Sequence, residues 1–220
     1  MTISRIAITV SFCVALIALP IAQSDSQPSA RLISASRLAL PDDVDSNAPM
    51  TWDLVDGNWR LFAFASWGGV PSLLAGRDLN SLRRVLDAVS IVPHPGHGVW
   101  IEAVIPDEQG TWYGYYHHEV PAEACGRADR NIPRIGAAKS TDRGRTWEDL
   151  GPILEAPPST YACGSTNRFI VGGVGDVSAM LDADKRDLYL YYSEYGRDRS
   201  IQGVALTSRL HPFLIIPLIG

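Results

Sequence analysis

Apolar and polar positions repeat along the chain in three similar stretches, which cover residues 52–64, 101–116 and 176–192. Each stretch begins with a short apolar run, passes through a tight turn with acidic residues or glycine, and ends in an aromatic run. Turn pairs such as Asp56-Gly57 tolerate the positive φ angles of a tight hairpin, whereas Trp, Tyr and Phe favour the flanking strands. The pattern therefore predicts three β-hairpins.

Two of these hairpins lead into a third short strand of small side chains, at residues 135–140 and 203–208. Residues 72–79 are the divergent counterpart in the first repeat. Two aromatic strands, a small-residue strand and a final outer strand are typical of a propeller blade. We therefore predict an all-β protein, a β-propeller with three blades visible in the sequence. Beyond a leader, only a turn or so of helix is expected, around residues 80–88.

The two ends of the chain differ from these repeats. Arg5 precedes an uncharged stretch at residues 6–22, which predicts a hydrophobic leader helix, so residues 1–27 form a signal peptide or an N-terminal anchor. We expect a secreted or periplasmic protein, with attachment to a membrane through residues 6–22 as the alternative. Residues 28–208 form a partial propeller domain. Residues 209–220 form an atypical apolar tail, which is either a truncated end or a short strand that closes a small sheet.

Composition supports a folded, globular protein. The chain is 46% hydrophobic and 20% charged, with a formal net charge of -5 and no basic run longer than Arg83-Arg84. These values indicate a globular protein and give no support to nucleic-acid binding. Outside the leader, two cysteines remain, Cys125 and Cys163. An even number outside the cytoplasm favours a disulfide, with two unpaired thiols as the alternative, and neither cysteine has zinc-site spacing.

An eight-residue motif occurs between the second and third repeats. Residues 140–147 read Ser-Thr-Asp-Arg-Gly-Arg-Thr-Trp and match the pattern S-x-D-x-G-x-T-W at every fixed position. This pattern is the Asp-box of sialidases and other propellers. We expect Asp142 to accept backbone N–H groups within its own turn, Gly144 to supply a permissive backbone conformation and Trp147 to pack between sheets. The motif indicates a blade and says nothing about catalysis.

From about residue 45 to residue 208, the chain resembles bacterial glycoside-hydrolase-like proteins of the five-bladed propeller group, the arabinanase, xylosidase and fructosidase type. The segments that carry the resemblance lie at residues 45–49, 72–79, 100–103, 116–119, 133–138 and 172–176. The resemblance implies a ring of five blades, two more than the sequence displays. It also implies hydrolysis of an O-glycosidic bond.

Hydrolysis of a glycosidic bond requires two carboxyl groups, one to protonate the leaving oxygen and one to activate water or attack carbon. Each repeat offers one acidic residue at an early position, namely Asp45, Glu102 and Asp176. In the family that the chain resembles, an Asp of the first blade is the general base, which implies that role for Asp45. The resemblance leaves Glu102 and Asp176 to divide the roles of pKa tuning and general acid. The alternative for each residue is a carboxylate bonded only to backbone.

Other residues are candidates for binding substrate. His117 and Glu119 follow an aromatic strand, and strand alternation sends His117 and His118 to opposite faces. Arg134 is a candidate for a sugar hydroxyl or carboxylate, with an ion pair between blades as the alternative. Trp100 is a candidate to stack on a sugar, as are Trp52 and Trp67, with core packing as the competing interpretation.

The sequence thus favours an exported glycosidase acting on a carbohydrate, with a non-catalytic glycan-binding or assembly propeller as one alternative. A second alternative is an exo-sialidase, which requires a Tyr nucleophile and a cluster of arginines. We predict no cofactor and no catalytic metal, and the sequence leaves open a structural calcium ion. The sugar and its linkage are not determined.

Overall fold

A computed structural model describes residues 39–92, 98–185, 187–196 and 199–207, with the backbone alone for residue 196 and residues 199–207. The predicted leader and the apolar tail at 209–220 lie outside the described residues. Within those residues the protein is all-β, as the sequence predicts, with three short 3-10 turns and no α-helix. The described part of the chain therefore contains no helix that is long and apolar enough to cross a membrane.

The first sheet has four antiparallel strands in sequence order: β1 (Met50–Val55), β2 (Asn58–Trp67), β3 (Val70–Gly76) and β4 (Arg83–Leu86). The predicted first hairpin is β1–β2, joined at Asp56-Gly57. The turn or so of helix expected around residues 80–88 is a single 3-10 turn, Leu79–Ser81, which the Asp78 side chain caps. Leu82 separates it from β4.

The second sheet has five strands: β5 (Ser90–Val92), β6 (Val99–Pro106), β7 (Trp112–Ala122), β8 (Arg127–Ser140) and β9 (Thr146–Leu154). Their spatial order is β5-β9-β8-β7-β6, and β5 runs parallel to β9. The predicted second hairpin is β6–β7, and the predicted small-residue strand is the end of β8. This sheet therefore takes its outermost strand, β5, from the segment that follows the first sheet.

The third sheet has the order β10 (Val174–Leu181), β11 (Leu188–Gly196) and β12 (Arg199–Thr207), and all pairs are antiparallel. It contains the predicted third hairpin and the predicted small-residue strand. Each of the three sheets is thus assembled mainly from consecutive strands, as in propeller blades.

The sheets pack face to face through two apolar clusters. Phe62 and Phe64 of the first sheet contact Trp112 of the second with edge-on ring geometry, at centroid distances of 5.0 and 6.5 Å. On the other face of the second sheet, Tyr115 packs with Val177 of the third. Tyr115 and Tyr116 are neighbours on β7, and strand alternation directs them into different clusters. The second sheet is therefore the central layer of the described domain.

The eight-residue motif at residues 140–147 forms the turn between β8 and β9. Asp142 Oδ1 accepts the N–H groups of Arg145 and Thr146 at 3.0 and 2.9 Å. Gly144 has a φ of 78°, and a Cβ there would overlap the Phe64 ring, so both the backbone and the packing require glycine. Trp147 is 2% exposed within the cluster between the first two sheets. The motif therefore ties a turn to an intersheet contact.

Candidate active site

A cavity of about 620 Å³ opens where residues of the second and third sheets meet connecting segments, including the segment before β1 and the turn between β2 and β3. Six of the nine side chains proposed from the sequence line it. The lining residues are Asp45, Ser46, Gly68, Gly98, Trp100, Glu102, His117, Glu119, Asn131, Phe169 and Asp176. Four of them carry carboxyl groups, so the cavity is suited to acid–base chemistry.

Asp45 lies in the segment before β1, at the exposed mouth of the cavity. Its backbone N–H donates to Ser66 O on β2 at 3.1 Å, which fixes the segment to the first sheet. The carboxylate accepts the backbone N–H of Gly68 at 2.8 Å and the indole Nε1–H of Trp100 at 2.7 Å. These two donors orient the carboxylate group. Trp100 is therefore a positioning residue for Asp45 as well as a wall of the cavity.

Glu102 lies on β6 at a register shift between Ile101 and Ala103, and it is 4% exposed. Its Oε2 accepts the backbone N–H of Val177 at 2.6 Å. Burial raises the pKa of Glu102 to about 8; the Val177 hydrogen bond opposes this shift, and the negative charge of Asp176 adds to it. Glu102 is therefore protonated at neutral pH and can donate a proton.

Asp176 lies on β10 at an irregularity of the strand. Its φ is 49°, and the register with β11 shifts between Gly175 and Ser178. The side chain is 58% exposed, and the Tyr195 hydroxyl donates a hydrogen bond to Oδ2. A Cβ at residue 175 would overlap the His117 ring, so the glycine lets β10 approach β7. The irregularity thus separates the exposed Asp176 from its buried neighbour Val177.

His117 is buried on β7, and its two ring nitrogens have different surroundings. Nδ1 accepts the backbone N–H of Asp176 at 3.1 Å. Burial lowers the pKa of His117, and the nearby Asp176 carboxylate opposes that shift. The neutral ring with its proton on Nε2 is the form that satisfies this hydrogen bond. Nε2 has no hydrogen-bond partner among the described residues and lies 3.9 Å from Glu119 Oε1. His117 Nε2 is therefore a buried donor whose hydrogen-bonding capacity the described residues leave unused beside the cavity.

Glu119 faces His117 from the same strand. Its Oε2 accepts a hydrogen bond from Asn131 Nδ2 at 2.7 Å. Burial raises the pKa of Glu119, Asn131 opposes that shift, and Asp176 and Asp45 add to it through their negative charges. The pair Glu119 and His117 Nε2 therefore offers an acceptor and a donor side by side, which suits recognition of a hydroxyl group.

Glu102, His117 and Asp176 each offer a potential ligand atom within 4.8 Å of the other two. Two carboxyl groups and an imidazole are chemically capable of holding a divalent cation. His117 Nδ1 already accepts the Asp176 amide, however, and Glu102 Oε2 already accepts the Val177 amide. At these two atoms the arrangement therefore favours hydrogen bonding over metal coordination.

Arg134 is not among the residues that line the cavity. Its Nε donates to His118 Nδ1 at 3.3 Å, and its Nη1 donates to Glu155 Oε1 at 3.2 Å. His118 is buried, and strand alternation places it away from His117 as expected. Trp52 and Trp67 are 49% and 61% exposed and lie outside the lining of the cavity. These side chains thus occupy other parts of the surface or core.

The sequence analysis did not select Asn131, Phe169 or Tyr195, although each contacts a site residue or lines the cavity. Asn131 lies diagonally across the β7–β8 pair from Glu119, which pairs with Pro133. That relation is visible only when the register of the hairpin is known. Phe169 lies six residues after Cys163, so the expected disulfide is the one sequence feature that could have drawn attention to its segment.

Comparisons with known proteins found no matching family model and no matching curated protein. Several solved structures match. An endo-arabinase from Bacteroides thetaiotaomicron VPI-5482 has a TM-score of 0.45 and 15% identity, with 76% of this chain and 60% of that chain covered. A thermostable family-43 glycoside hydrolase has a TM-score of 0.42 and 12% identity, over 78% and 57%. Endo-1,5-alpha-L-arabinanase from Thermotoga petrophila RKU-1 has a TM-score of 0.38 and 13% identity, over 73% and 39%. This chain thus spans 60% or less of the length of each.

Proposed function

We propose that the protein is a glycoside hydrolase that cleaves an O-glycosidic bond with a pair of carboxyl groups. The observation that carries the proposal is the position of Asp45, Glu102 and Asp176. They come from the segment before β1, from β6 and from β10, and all three line one cavity. Two strands of different sheets and the segment before β1 thus bring three carboxyl groups to one cavity, and hydrolysis of a glycosidic bond requires two of them.

The environments support different roles for these groups. Glu102 is buried and carries a proton at neutral pH, so we assign it as the general acid that protonates the leaving oxygen. Asp45 is held at the mouth by two donors and makes no ion pair with a described residue, so its carboxylate serves as the base or nucleophile. Asp176 is exposed beside Glu102 and raises the Glu102 pKa through its charge. It therefore tunes the acid.

The polar pair of His117 and Glu119 supports binding of a sugar hydroxyl. The distance of 3.9 Å between His117 Nε2 and Glu119 Oε1 is too long for a direct hydrogen bond. A hydroxyl that reaches both groups accepts a hydrogen bond from His117 and donates one to Glu119. The two residues thus hold the sugar and take no part in bond cleavage.

The charge of the cavity disfavours the exo-sialidase alternative. None of the described residues that line the cavity is Arg or Lys, whereas four carry carboxyl groups. A substrate carboxylate would meet like charges without a cationic partner. The proposal is therefore a substrate with an uncharged sugar at the reactive position. The sequence resemblance suggests arabinofuranosides, xylosides and fructosides as the first compounds to assay.

The test is the Asp45→Asn variant, assayed with para-nitrophenyl α-L-arabinofuranoside, para-nitrophenyl β-D-xyloside and sucrose. We expect turnover to fall by at least about a thousandfold, because the amide retains the size of the side chain but cannot act as a base or nucleophile. Asp43→Asn is the matched control, since Asp43 is exposed in the same segment and does not line the cavity. Circular dichroism checks that both variants fold.

The proposal fails if Asp45→Asn and the native protein turn over the same substrate at the same rate. It also fails if neither these glycosides nor the corresponding oligosaccharides are cleaved by the native chain. In that case, the non-catalytic glycan-binding alternative remains, and binding of the same oligosaccharides to the native protein identifies it.

Two finer proposals rest on the sequence alone. The leader predicted at residues 1–27 supports export, and the resemblance to the five-bladed group supports a ring of five blades to which the three sheets belong. Cell fractionation with N-terminal sequencing of the exported protein tests the first. Recovery of the protein in the cytoplasm with residues 1–27 intact would contradict it.

A further inference from the structure

One connecting segment is fastened to β8 and to the 3-10 turn that follows β7, the strand that carries His117 and Glu119. We call residues 162–171, which lie between β9 and β10, the strap. A disulfide joins Cys163 of the strap to Cys125, which ends the 3-10 turn after β7. Four hydrogen bonds reinforce this link: Arg127 Nη1 to Cys163 O at 3.3 Å, Arg130 Nε to Asn167 O at 2.9 Å, Asn131 N to Phe169 O at 2.8 Å and Val171 N to Asn131 O at 3.1 Å.

Phe169 is the aromatic side chain that the strap presents. Its backbone N–H donates to the Asn167 side chain at 2.8 Å, and its carbonyl accepts from Asn131, so its backbone is bonded on both sides. Two residues later, Val171 is 1% exposed in an apolar cluster. Phe169, by contrast, is 70% exposed and lines the cavity. The fold thus anchors the strap by burying Val171 and leaves the phenyl ring in solvent at the cavity.

The contacts around Phe169 place it next to the polar groups of the site. Asn131 bonds to the Phe169 carbonyl through its backbone and to Glu119 through its side chain. A sugar hydroxyl held by Glu119 and His117 places the sugar in the same cavity that Phe169 lines. Carboxyl groups bind the hydroxyls of a sugar, and an aromatic ring packs against its apolar C–H groups. A cavity lined by both therefore suits a sugar ring.

We propose that Phe169 is a specificity-determining residue on which a sugar ring of the substrate stacks, and that the strap holds it in place for this purpose. The inference rests on the proposed function insofar as the ligand is a carbohydrate. It assigns the aromatic contact to a residue outside the strands. It does not require that the sugar be cleaved.

The test is binding of arabinotriose and xylotriose to the Asp45→Asn protein, followed by tryptophan fluorescence, since Trp100 lies in the cavity. Adding Phe169→Ala is expected to weaken the dissociation constant of the bound trisaccharide by about three- to tenfold. Phe169→Tyr restores the affinity, and Phe169→Leu, which keeps apolar volume without a ring, does not. Trp59→Ala is the matched control, because Trp59 is 64% exposed and lies outside the cavity.

The inference is overturned if Phe169→Ala binds the trisaccharide as tightly as its parent, or if Trp59→Ala weakens binding equally. Absence of binding of both sugars to the Asp45→Asn protein at millimolar concentrations also overturns it. A failure of the proposed hydrolysis alone is distinguishable from these outcomes. In that case Phe169→Ala still weakens binding of the trisaccharide, but the protein with native Asp45 does not cleave it.

Discussion

At the scale of residues, Glu102 and Asp176 show how neighbouring carboxyl groups acquire different chemistry. Both belong to strands that meet at the cavity, and the amide of Val177, the residue after Asp176, donates to Glu102. Glu102 is almost completely buried, whereas the Asp176 side chain is 58% exposed. Burial penalises the charged form of Glu102 and therefore keeps its proton to about pH 8.

This raised pKa has a consequence for stability. The folded protein holds the Glu102 proton up to about pH 8, whereas the unfolded chain loses it near pH 4.5. The stabilising contribution is therefore complete below pH 4.5 and is lost as the pH rises towards 8. Between pH 6 and 7, we expect the free energy of unfolding of the native protein to fall relative to Glu102→Gln by about 1.4 kcal/mol. Urea unfolding of both proteins at several pH values measures the difference.

Glu102→Gln is a matched change, because the amide oxygen can still accept the Val177 N–H and the side chain keeps its size. His117 titrates in both proteins, so its contribution largely cancels in the difference. Parallel stability curves for the two proteins between pH 5 and 8 would show that Glu102 ionises at an ordinary pKa in the folded state.

The sequence predicted the acidic residues of the site but not their partners. Glu102 and Asp176 lie in the first strand of the second repeat and of the third, so the repeat pattern was sufficient to pair them, whereas Asp45 lies before β1 and was selected from the family resemblance. Asn131 and Phe169 have no such periodic position. Their contribution depends on a contact between segments 38 residues apart, and on which face of each segment is presented. Arg134 was selected for its charge, and its actual partners also depend on tertiary packing.

At the scale of elements, local chemistry explains which strands the sequence predicted. The hairpins β1–β2, β6–β7 and β10–β11 each pair adjacent segments around a tight turn, so the turn residues and the aromatic runs are sufficient to predict them. Strand β5 pairs in parallel with β9, more than 50 residues later. Its three residues carry no local signal for that partner, so β5 was not predicted.

The Asp142 turn is the element whose stability we expect to depend most on one side chain. Asp142 receives hydrogen bonds from two backbone N–H groups and from the hydroxyls of Ser140 and Thr146. Asp142→Ala leaves these donors without an acceptor, and we expect the free energy of unfolding to decrease by about 1–3 kcal/mol. Chemical denaturation at neutral pH measures this loss.

Asp87→Ala is the control for that measurement. Asp87 is highly exposed, and its contact with Arg84 at 3.4 Å is a surface ion pair, so its removal is expected to cost less than about 1 kcal/mol. Equal losses for Asp142→Ala and Asp87→Ala would contradict the structural role assigned to the Asp142 turn.

At the scale of the whole molecule, the Cys125–Cys163 disulfide joins the segment after β7 to the segment before β10. It therefore links the second sheet to the connection that leads into the third. The residues are 38 positions apart, and closing a loop of that length restricts the unfolded chain.

We expect the double variant Cys125→Ser/Cys163→Ser to lose about 3–4 kcal/mol of unfolding free energy relative to the oxidised protein, by the chain-entropy argument. Reductant added to the native protein should produce a loss in the same direction and leave the double variant unchanged. If oxidised and reduced native proteins unfold at the same denaturant concentration, the disulfide makes no contribution to stability.

The three sheets also have a collective consequence for the cavity. Glu102 and Asp176 belong to different sheets and Asp45 is hydrogen-bonded to a third, so their spacing depends on the apolar packing between the sheets. The packing between two sheets can loosen while each sheet keeps its own backbone hydrogen bonds. Heating to a temperature below global unfolding is therefore expected to abolish activity while the far-ultraviolet circular dichroism spectrum remains native. Side-chain probes such as the near-ultraviolet signals of Trp112 and Trp147 should change together with the loss of activity. The activity of the protein therefore reports how tightly the three sheets are packed against one another.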